Sequence, residues 1–580
     1  MKLVSSKPVG QRRVYDIEVA DVHNFYANGV NVHNCATDGG VSVIKDDGSV
    51  VDITRSARVY ASVVFYESSL WALETIGGAS CWIYFETIPT SDITPTTQPS
   101  FVSSVYSSNY LLPSDSYDES AHLSSDTLAV GGSNDLTLIT GSGTQKSVDS
   151  SVAYITSTYN TGWMNGDIKL ATLSDTDATN VTGTELVTNG TDWTGASGTT
   201  PPTGWYYEGT LATFTVNGSG QLVYDRNGDG STNLYQAIPT VVGKTYTVSM
   251  DYIATSPAGN LEFSIVGLGA EAVNVLGTYT RTFTATGTST TLSFRPSSST
   301  TQVVTVDNVT CRLAEEDRSV NGNGLQVFGT VTKTPVATGA DLVAYSGFSA
   351  SNYLQQPHNP DLDFGTGDFC VMGWVKLSST AVRNDFATIE SSSGASDYVL
   401  CTLVTASDLR FQVYTGTGLS FATTAAPSTN QWFFYCGTRT SSGVSLYLNG
   451  VIKHSVTQTV PSESFDYGSG TLIIGAQGAG ANPATNSSLA LWRISGTAPT
   501  AEQIAKIYED EKVLFQDGAQ ATLFGASDAV TALAYDDDTE LLHVGTSAGR
   551  SVFQGLRRVD NTTDAVGSCI SAVNNLVAED

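Results

Sequence analysis

QWFFYCGTRTSSGVSLYLNGVIKHS, residues 431–455, decides the fold. An apolar run around Trp432 gives way to a polar turn, then to two short strands around Asn449-Gly450. Asn-Gly is the strongest short signal for a two-residue hairpin, because both turn positions of the type I′ connection need positive φ. The same alternation of short strands rich in Thr, Val, Tyr and Ser with Gly-containing returns runs through the chain, and long amphipathic helical patterns are missing. The expected fold class is therefore all-β, in several domains. A chain of 580 residues has room for about three to five domains at roughly 100–200 residues each.

Charge and composition exclude several functions. The 27 basic and 56 acidic residues leave a formal charge of −29. A nucleic-acid partner is excluded on that ground, since phosphate recognition needs clustered Lys and Arg. No apolar run reaches the roughly 20 residues of a membrane-spanning helix. The first thirty residues are polar, include Gln11-Arg12-Arg13 and lack the apolar core of a secretory signal. Cys35, Cys81, Cys311, Cys370, Cys401, Cys436 and Cys569 are scattered without CxxC spacing, so no zinc site is expected. Their odd number leaves one unpaired, and Cys35 is the candidate.

Residues 35–182 and 515–580 share one pattern. ATDGGVSVIKDDGSVVDIT, TLAVGGSNDLTLIT and VTALAYDDDTELLHVGTSAGRSVFQGLRRV each pair strands through tight turns. Short strands with a Gly-rich return every ten or so residues suggest propeller blades, although a sandwich shows similar spacing. The chain reads as entering in mid-blade. Residues 183–316 and 317–514 then read as two sandwiches inserted between these repeats.

The first insertion contains ELVTNGTDWTG, TGWYYEG, GKTYTVSMDYIA and VTVDNVTCRL, and resembles a jelly-roll carbohydrate-binding module. That resemblance implies a structural Ca²⁺ held by an early acidic residue and the Asp of the last strand, here Glu185 and Asp307. Trp193, Trp205, Tyr207 and Tyr235, with Tyr206, have the flat apolar faces that stack on sugar rings, and core packing is the competing reading. DRNGDGS, residues 225–231, copies the start of a calcium loop, but the twelfth position is Gln236 where such loops use Glu. A polar turn is the expected outcome.

The second insertion contains FSASNYLQQPHNPDLDFGTGDFCVMGWVK, the opening stretch quoted above, and LIIGAQ followed by SSLALWRIS. It resembles a laminin-G or concanavalin A-like sandwich, whose members bind glycans or proteins. Trp374, Trp432 and Trp492 sit in apolar strand runs and are expected in the core. A short helix should close the unit, with Thr500 and Gln503 as a capping box and Ile504, Ile507 and Tyr508 facing inward. No pair of catalytic carboxylates is evident in the strands, so no glycosidase is expected.

VYDIEVADVHNFYANGVNVHNC, residues 14–35, differs from everything after it. Tyr15, Ile17 and Val19 alternate with Asp16 and Glu18, as in a half-buried strand. A two-residue turn at Asn28-Gly29 pairs Ala27 with Val30 and, further out, His23 with Asn34. Directly opposed side chains lie about 4.5–5.5 Å apart at Cβ, which sets an imidazole beside the Asn34 amide. That amide can attack its own main-chain carbonyl, close a succinimide and break the bond to Cys35. Histidine serves at neutral pH as proton acceptor or donor, and Cys35 is a thiolate-capable nucleophile.

The order and spacing of VYDIEV, HNFYANG and VHNC are similar to the last conserved block of an intein. The resemblance covers residues 1–34 and the first residue beyond. It implies that Asn34 cyclises, His33 is the penultimate histidine, His23 the block histidine, Asp16 a proton-controlling aspartate and Cys35 the acyl acceptor. The short lead-in resembles the C-terminal half of a split intein, whose partner would be an N-terminal intein half with its upstream extein. The expected function is a precursor that splices by a single-turnover autocatalytic reaction without a cofactor. Its product would be a multidomain glycan- or receptor-binding protein such as a phage tail fibre, homo-oligomeric for avidity. It would be processed in the host cytoplasm and then displayed on the virion or outside the cell. The alternative is a plain carbohydrate- or protein-binding surface protein with a vestigial intein end.

Overall fold

The structure is a computed structural model that describes residues 150–580 apart from 229–232, 298–301, 391–396, 416–417, 458–464, 466–469, 568–569, 574–575 and 580. Before residue 150 it describes the paired strands Lys2–Val9 and Arg12–Glu18, the strands named below and a few connecting residues; before residue 127, side chains only at 50–53 and 91–92. The chain is almost all β, with one α-helix among the described residues.

Sequential antiparallel meanders frame the molecule. His23–Ala27, Val30–Asn34, Gly40–Ile44 and Val50–Thr54 form the first, and Val59–Tyr66, Ser69–Ile76, Ala79–Phe85 and Phe101–Ser104 the second. Tyr117–His122, Thr127–Gly132, Leu136–Thr140, Ser151–Ile155 and Met164–Asn165 form the third. Val530–Asp536, Leu541–Thr546, Gly549–Gln554 and Arg557–Asn561 form a later one. Strand Tyr117–His122 lies against both Val59–Tyr66 and Val530–Asp536, so the late meander packs beside the third across the long intervening sequence. Asn160 fastens this junction: its side-chain amide donates to the carbonyls of Ala521 at 2.9 Å and Leu556 at 3.0 Å. Leu136–Thr140 and Ser151–Ile155 are buried at every position, because their two faces contribute to two different apolar clusters.

Between these meanders stand two sandwiches. In the first, Thr213–Val216, Leu222–Asp225, Val303–Glu315, Thr245–Ser256 and Gly277–Thr284 make one sheet. Tyr206–Tyr207, Leu234–Pro239, Ser289–Pro296, Leu261–Ile265 and Gly269–Val273 make the other. Period-2 burial in Leu222–Asp225 and Leu261–Ile265 turns alternate side chains into the core between them. DRNGDGS begins as a polar turn: the Asp225 carboxylate accepts from the Asn227 N–H at 2.8 Å, and Asn227 adopts φ 50°. Gln236 is buried and donates to the carbonyls of Thr188 and Gly204.

In the second sandwich one sheet runs Ile168–Thr172, Ser487–Ser495, Phe369–Leu377, Trp432–Thr440, Gly443–Leu448 and Val451–Thr457. The other runs Leu325–Pro335, Tyr353–Gln356, Thr471–Ile474, Asn384–Glu390, Tyr398–Thr405, Asp408–Thr415 and Gly418–Thr424. Leu325–Pro335 also pairs with Val343–Ser346, and the hydrogen-bonded ladder through both sandwiches closes on itself. The hairpin turn is as the sequence implies, with Leu448 opposite Val451 and φ of 51° and 75° at Asn449 and Gly450. Helix Ala501–Glu511 carries the full capping box of Thr500 and Gln503, and Ile504 and Ile507 are buried.

The three tryptophans divide. Trp492 lies in the sandwich core, whereas Trp374 points the other way, into a cluster shared with the helix and the third meander. Trp432 is half-buried beside that cluster, and its Nε1 donates to the Val336 carbonyl at 2.9 Å.

Candidate binding cleft

The first sheet of the second sandwich is covered on its outer side by the helix and the meander cluster around Trp374. The opposite sheet carries the cleft. Along Tyr398–Thr405, Val399, Cys401 and Leu403 enter the core, so Tyr398, Leu400, Thr402 and Val404 face outward. Along Asp408–Thr415, Leu409, Phe411 and Val413 enter the core, leaving Asp408, Arg410, Gln412 and Tyr414 outward. The register then builds rows across the face: Tyr398 opposite Tyr414, Leu400 opposite Gln412, and Thr402 opposite Arg410. Leu419, Phe421 and Thr423 extend these rows on the next strand.

A cleft of about 250 Å³ opens on this face, lined by Arg383, Tyr398, Leu400, Val404, Arg410, Gln412 and Gln477. Its polar groups are held in place before any ligand arrives. The Tyr398 and Tyr414 rings stack with centroids 5.2 Å apart, and Gln412 Nε2 donates to the Tyr398 hydroxyl at 2.7 Å. Arg383 makes a two-point contact with Asp385 at 2.9 Å on both nitrogens, and its Nη2 also donates to Gln477 Oε1 at 3.3 Å. Arg410 forks onto Asp408 through Nε and Nη2, and its guanidinium lies 4.6 Å from the Phe421 ring centroid. Those bonds use Nε and Nη2 of each arginine and leave Nη1 as a fixed donor.

Electrostatics follow from these pairings. The bonds from Arg410 hold the Asp408 carboxyl below the ordinary range. Burial raises Asp385, against the opposing effect of Arg383 and Thr402. Burial also raises Glu390, at the edge of the same face. Charge on the cleft wall is thus compensated locally, and the groups that line it are planar: a tyrosine ring, two amides and two guanidinium groups. That chemistry suits a ligand with a flat apolar face and a rim of hydroxyls.

Most residues expected to bind sugar in the first sandwich do other work. Trp193 and Trp205 are enclosed in the core, 5.5 Å apart at their centroids, so neither can offer a face to a ligand. Trp193 Nε1 donates to Asp307 at 3.0 Å and Trp205 Nε1 to the Asn189 carbonyl at 3.1 Å. Tyr207 packs edge-on against Phe214 and Tyr224. Tyr235 differs: it pairs across strands with Tyr206, the rings stack at 5.8 Å, and Tyr206 is 60% exposed.

The expected calcium ligands already have protein partners. Glu185 Oε1 accepts from the N–H groups of Leu186, Val187 and Cys311, and Oε2 pairs with Arg312 at 3.2 Å. Asp307 is committed to the Trp193 indole. Among the described residues no three His, Cys, Asp or Glu side chains converge.

At the N-terminal hairpin the backbone register matches the sequence reading, from Ala27 opposite Val30 to His23 opposite Asn34. The side chains of Asp16, His23, His33 and Asn34, and the whole of Cys35, lie outside the described residues.

Residues 348–505 match the concanavalin A-like lectin/glucanases superfamily. This match contains the whole cleft. Among solved structures, the chain is similar to domain 4 of AbnA, a GH43 extracellular arabinanase from Geobacillus stearothermophilus, in complex with arabinotriose. The identity is 16%, over 31% of this chain and 82% of that one, with a TM-score of 0.25. It is also similar to the botulinum neurotoxin serotype D binding domain, at 13% identity over 42% of this chain and 60% of that one, TM-score 0.28. A heptameric SAP-like pentraxin from Limulus polyphemus matches at 12% identity over 25% of this chain and 73% of that one, TM-score 0.22. No curated protein matches the chain.

Sequence reasoning missed the cleft. The signal lies in YVLCTLVT and DLRFQVYT, whose alternate positions carry Tyr398, Arg410, Gln412 and Tyr414. Only the register shows that they are neighbours.

Proposed function

We propose that this chain is a glycan-binding protein and that its second sandwich takes a neutral oligosaccharide on the outer sheet face. The observation that carries this reading is the cleft, which Tyr398, Gln412, Arg383 and Arg410 line together. A sugar ring would lie on Tyr398 while its hydroxyls meet the fixed amide and guanidinium edges. The superfamily match over the same residues supports it. Display on a virion or outside the cell, as one of several copies, accords with single weak sugar sites that gain from avidity. A glycan array probed with wild type and with Tyr398→Ala/Arg410→Ala tests the reading. Loss of all wild-type hits in the double variant is expected; unchanged hits would remove the cleft from the proposal.

A second reading concerns the N-terminal segment, and the register of His23 opposite Asn34 favours it. In it, Asn34 cyclises and releases the chain from Cys35 onward, and an N-terminal intein half supplies an upstream segment for Cys35 to accept. Intact mass of the purified chain over time tests this: a species beginning at Cys35 is expected, and a stable full-length mass would set the hairpin aside as an inert one.

A further inference from the structure

A buried amine and two carboxyl groups meet where the first sandwich joins the second. Lys333 lies on strand Leu325–Pro335, and its side chain is 2% exposed. Its Nζ stands 2.5 Å from Asp175 Oδ2 and 3.9 Å from Glu315 Oε1. The Tyr345 hydroxyl donates to Glu315 Oε2 at 2.7 Å, and its ring lies beneath the amine, 5.2 Å from Nζ to the centroid. On the far side, Asp175 Oδ1 accepts from the N–H groups of Thr176 at 2.6 Å and Asp177 at 3.0 Å. The backbone is held as firmly: Val343 N–H donates to the Asp175 carbonyl, and Lys333 N–H to Asn180 Oδ1. None of these groups belongs to the cleft or to the N-terminal hairpin.

We propose that Lys333 and Asp175 condense into an intramolecular amide, with Glu315 carrying the proton. One proton transfer along the contact converts the ion pair into the neutral amine and carboxylic acid that condensation requires. Nζ attacks Cγ of Asp175, and the charge that develops on Oδ1 meets two preset backbone donors, the arrangement that stabilises a tetrahedral intermediate. Glu315 takes a proton from the attacking nitrogen and delivers it to Oδ2. The Nζ–Cγ bond forms, the Cγ–Oδ2 bond breaks and Oδ2 leaves as one water molecule, with Glu315 returned to its starting state. Burial raises the Glu315 carboxyl above its usual range, which suits it to both halves of that transfer. Groups held this way react with effective molarities on the order of 10⁵–10⁸ M, ample for an amide that does not form between free partners in water.

The bond would join positions 158 residues apart and tie together the two segments that lead into and out of the first sandwich. A domain carried on two connecting segments then could not be pulled out of register with its neighbour. Removal of chain freedom from the unfolded state would add stability as a disulfide does, in a chain whose described cysteines are all free.

The test is a tryptic digest of the full folded chain. The expected product is one branched peptide that contains Asp175 and an uncut Lys333, lighter by one water than its two parts. Glu315→Gln should retain the fold by circular dichroism and yield the two parts separately. Asp175→Ala provides the same contrast if Glu315→Gln does not fold, with trypsin cutting after Lys333. A linear peptide ending at Lys333 from folded wild type would overturn the proposal. A branched peptide at wild-type yield from Glu315→Gln would overturn the role of Glu315.

Discussion

Arg493 and Glu511 meet as an enclosed ion pair, side chains 2% and 0% exposed, where the second sandwich, its closing helix and the third meander converge. Glu511 accepts from both Arg493 terminal nitrogens, from the Trp374 indole at 2.7 Å and from the Trp163 N–H at 2.8 Å. Arg493 also donates to the Trp163 carbonyl at 2.7 Å. One carboxylate thus registers three parts of the chain against each other.

Glu511→Ala strands the Arg493 charge and should cost about 3–5 kcal/mol. The double change Arg493→Met/Glu511→Leu should cost less than either single change, because it removes both charges together. Urea unfolding followed by tryptophan fluorescence measures both. A double variant as unstable as Glu511→Ala would show that the indole and backbone bonds, and not charge, dominate the junction.

Asp135 gives a pH dependence of defined sign. Burial pushes its carboxyl from 3.8 up to about 6, helped by Asp528 and opposed by the Thr137 hydroxyl. The folded state therefore holds the proton more tightly than the unfolded state. This contribution is fully present below about pH 4 and is lost as pH rises through about 6. Asp135→Asn should stabilise the junction by about 1–3 kcal/mol at pH 7.5 and by little at pH 4. Thermal unfolding at the two pH values checks it; equal effects at both would refute the assignment.

Gly437 sits beneath the Phe411 ring of the opposing sheet, and a Cβ there would lie 2.1 Å from the ring. Gly437→Ala should cost at least about 1–3 kcal/mol through overpacking. A neutral result in chemical denaturation would mean that the sheets separate freely at this point.

Loss of the Tyr398 ring should weaken glycan binding by about 1–2 kcal/mol, roughly tenfold, as for other stacking contacts. Arg410→Lys should also weaken it, because lysine cannot hold the fork to Asp408 while presenting a fixed second edge. Titration calorimetry with a hit from the array reads both changes. Full affinity in Arg410→Lys would leave only charge, and not geometry, as the role of Arg410.

Asn34→Ala should abolish any release of the segment before Cys35, whereas Cys35→Ala should spare it, since the two steps use different nucleophiles. Intact mass distinguishes them, and release that persists in Asn34→Ala would end the cyclisation reading.

Much of this molecule is local, and its sequence suffices for those parts. Asn449-Gly450 needs positive φ at both positions and forms that turn wherever its strands lie. Thr500 and Gln503 satisfy each other's backbone groups within one helical turn. Alternation in strands such as YVLCTLVT assigns core and surface because the side-chain period is two. Trp193 and Trp205 show the limit of that legibility. An indole is equally fit to stack on sugar or on phenyl rings, and only the position of the second sheet decides that these two are enclosed. The cleft shows the same limit, since Arg383 and Gln477 are distant in sequence and meet only through strand pairing. Lys333, Asp175 and Glu315 come from three separate segments, and no spacing announces them. Sequence determined the strands, turns and caps, where the deciding contacts span a few residues. Tertiary structure alone decided the sites, because each depends on which strands become neighbours and which faces another layer covers.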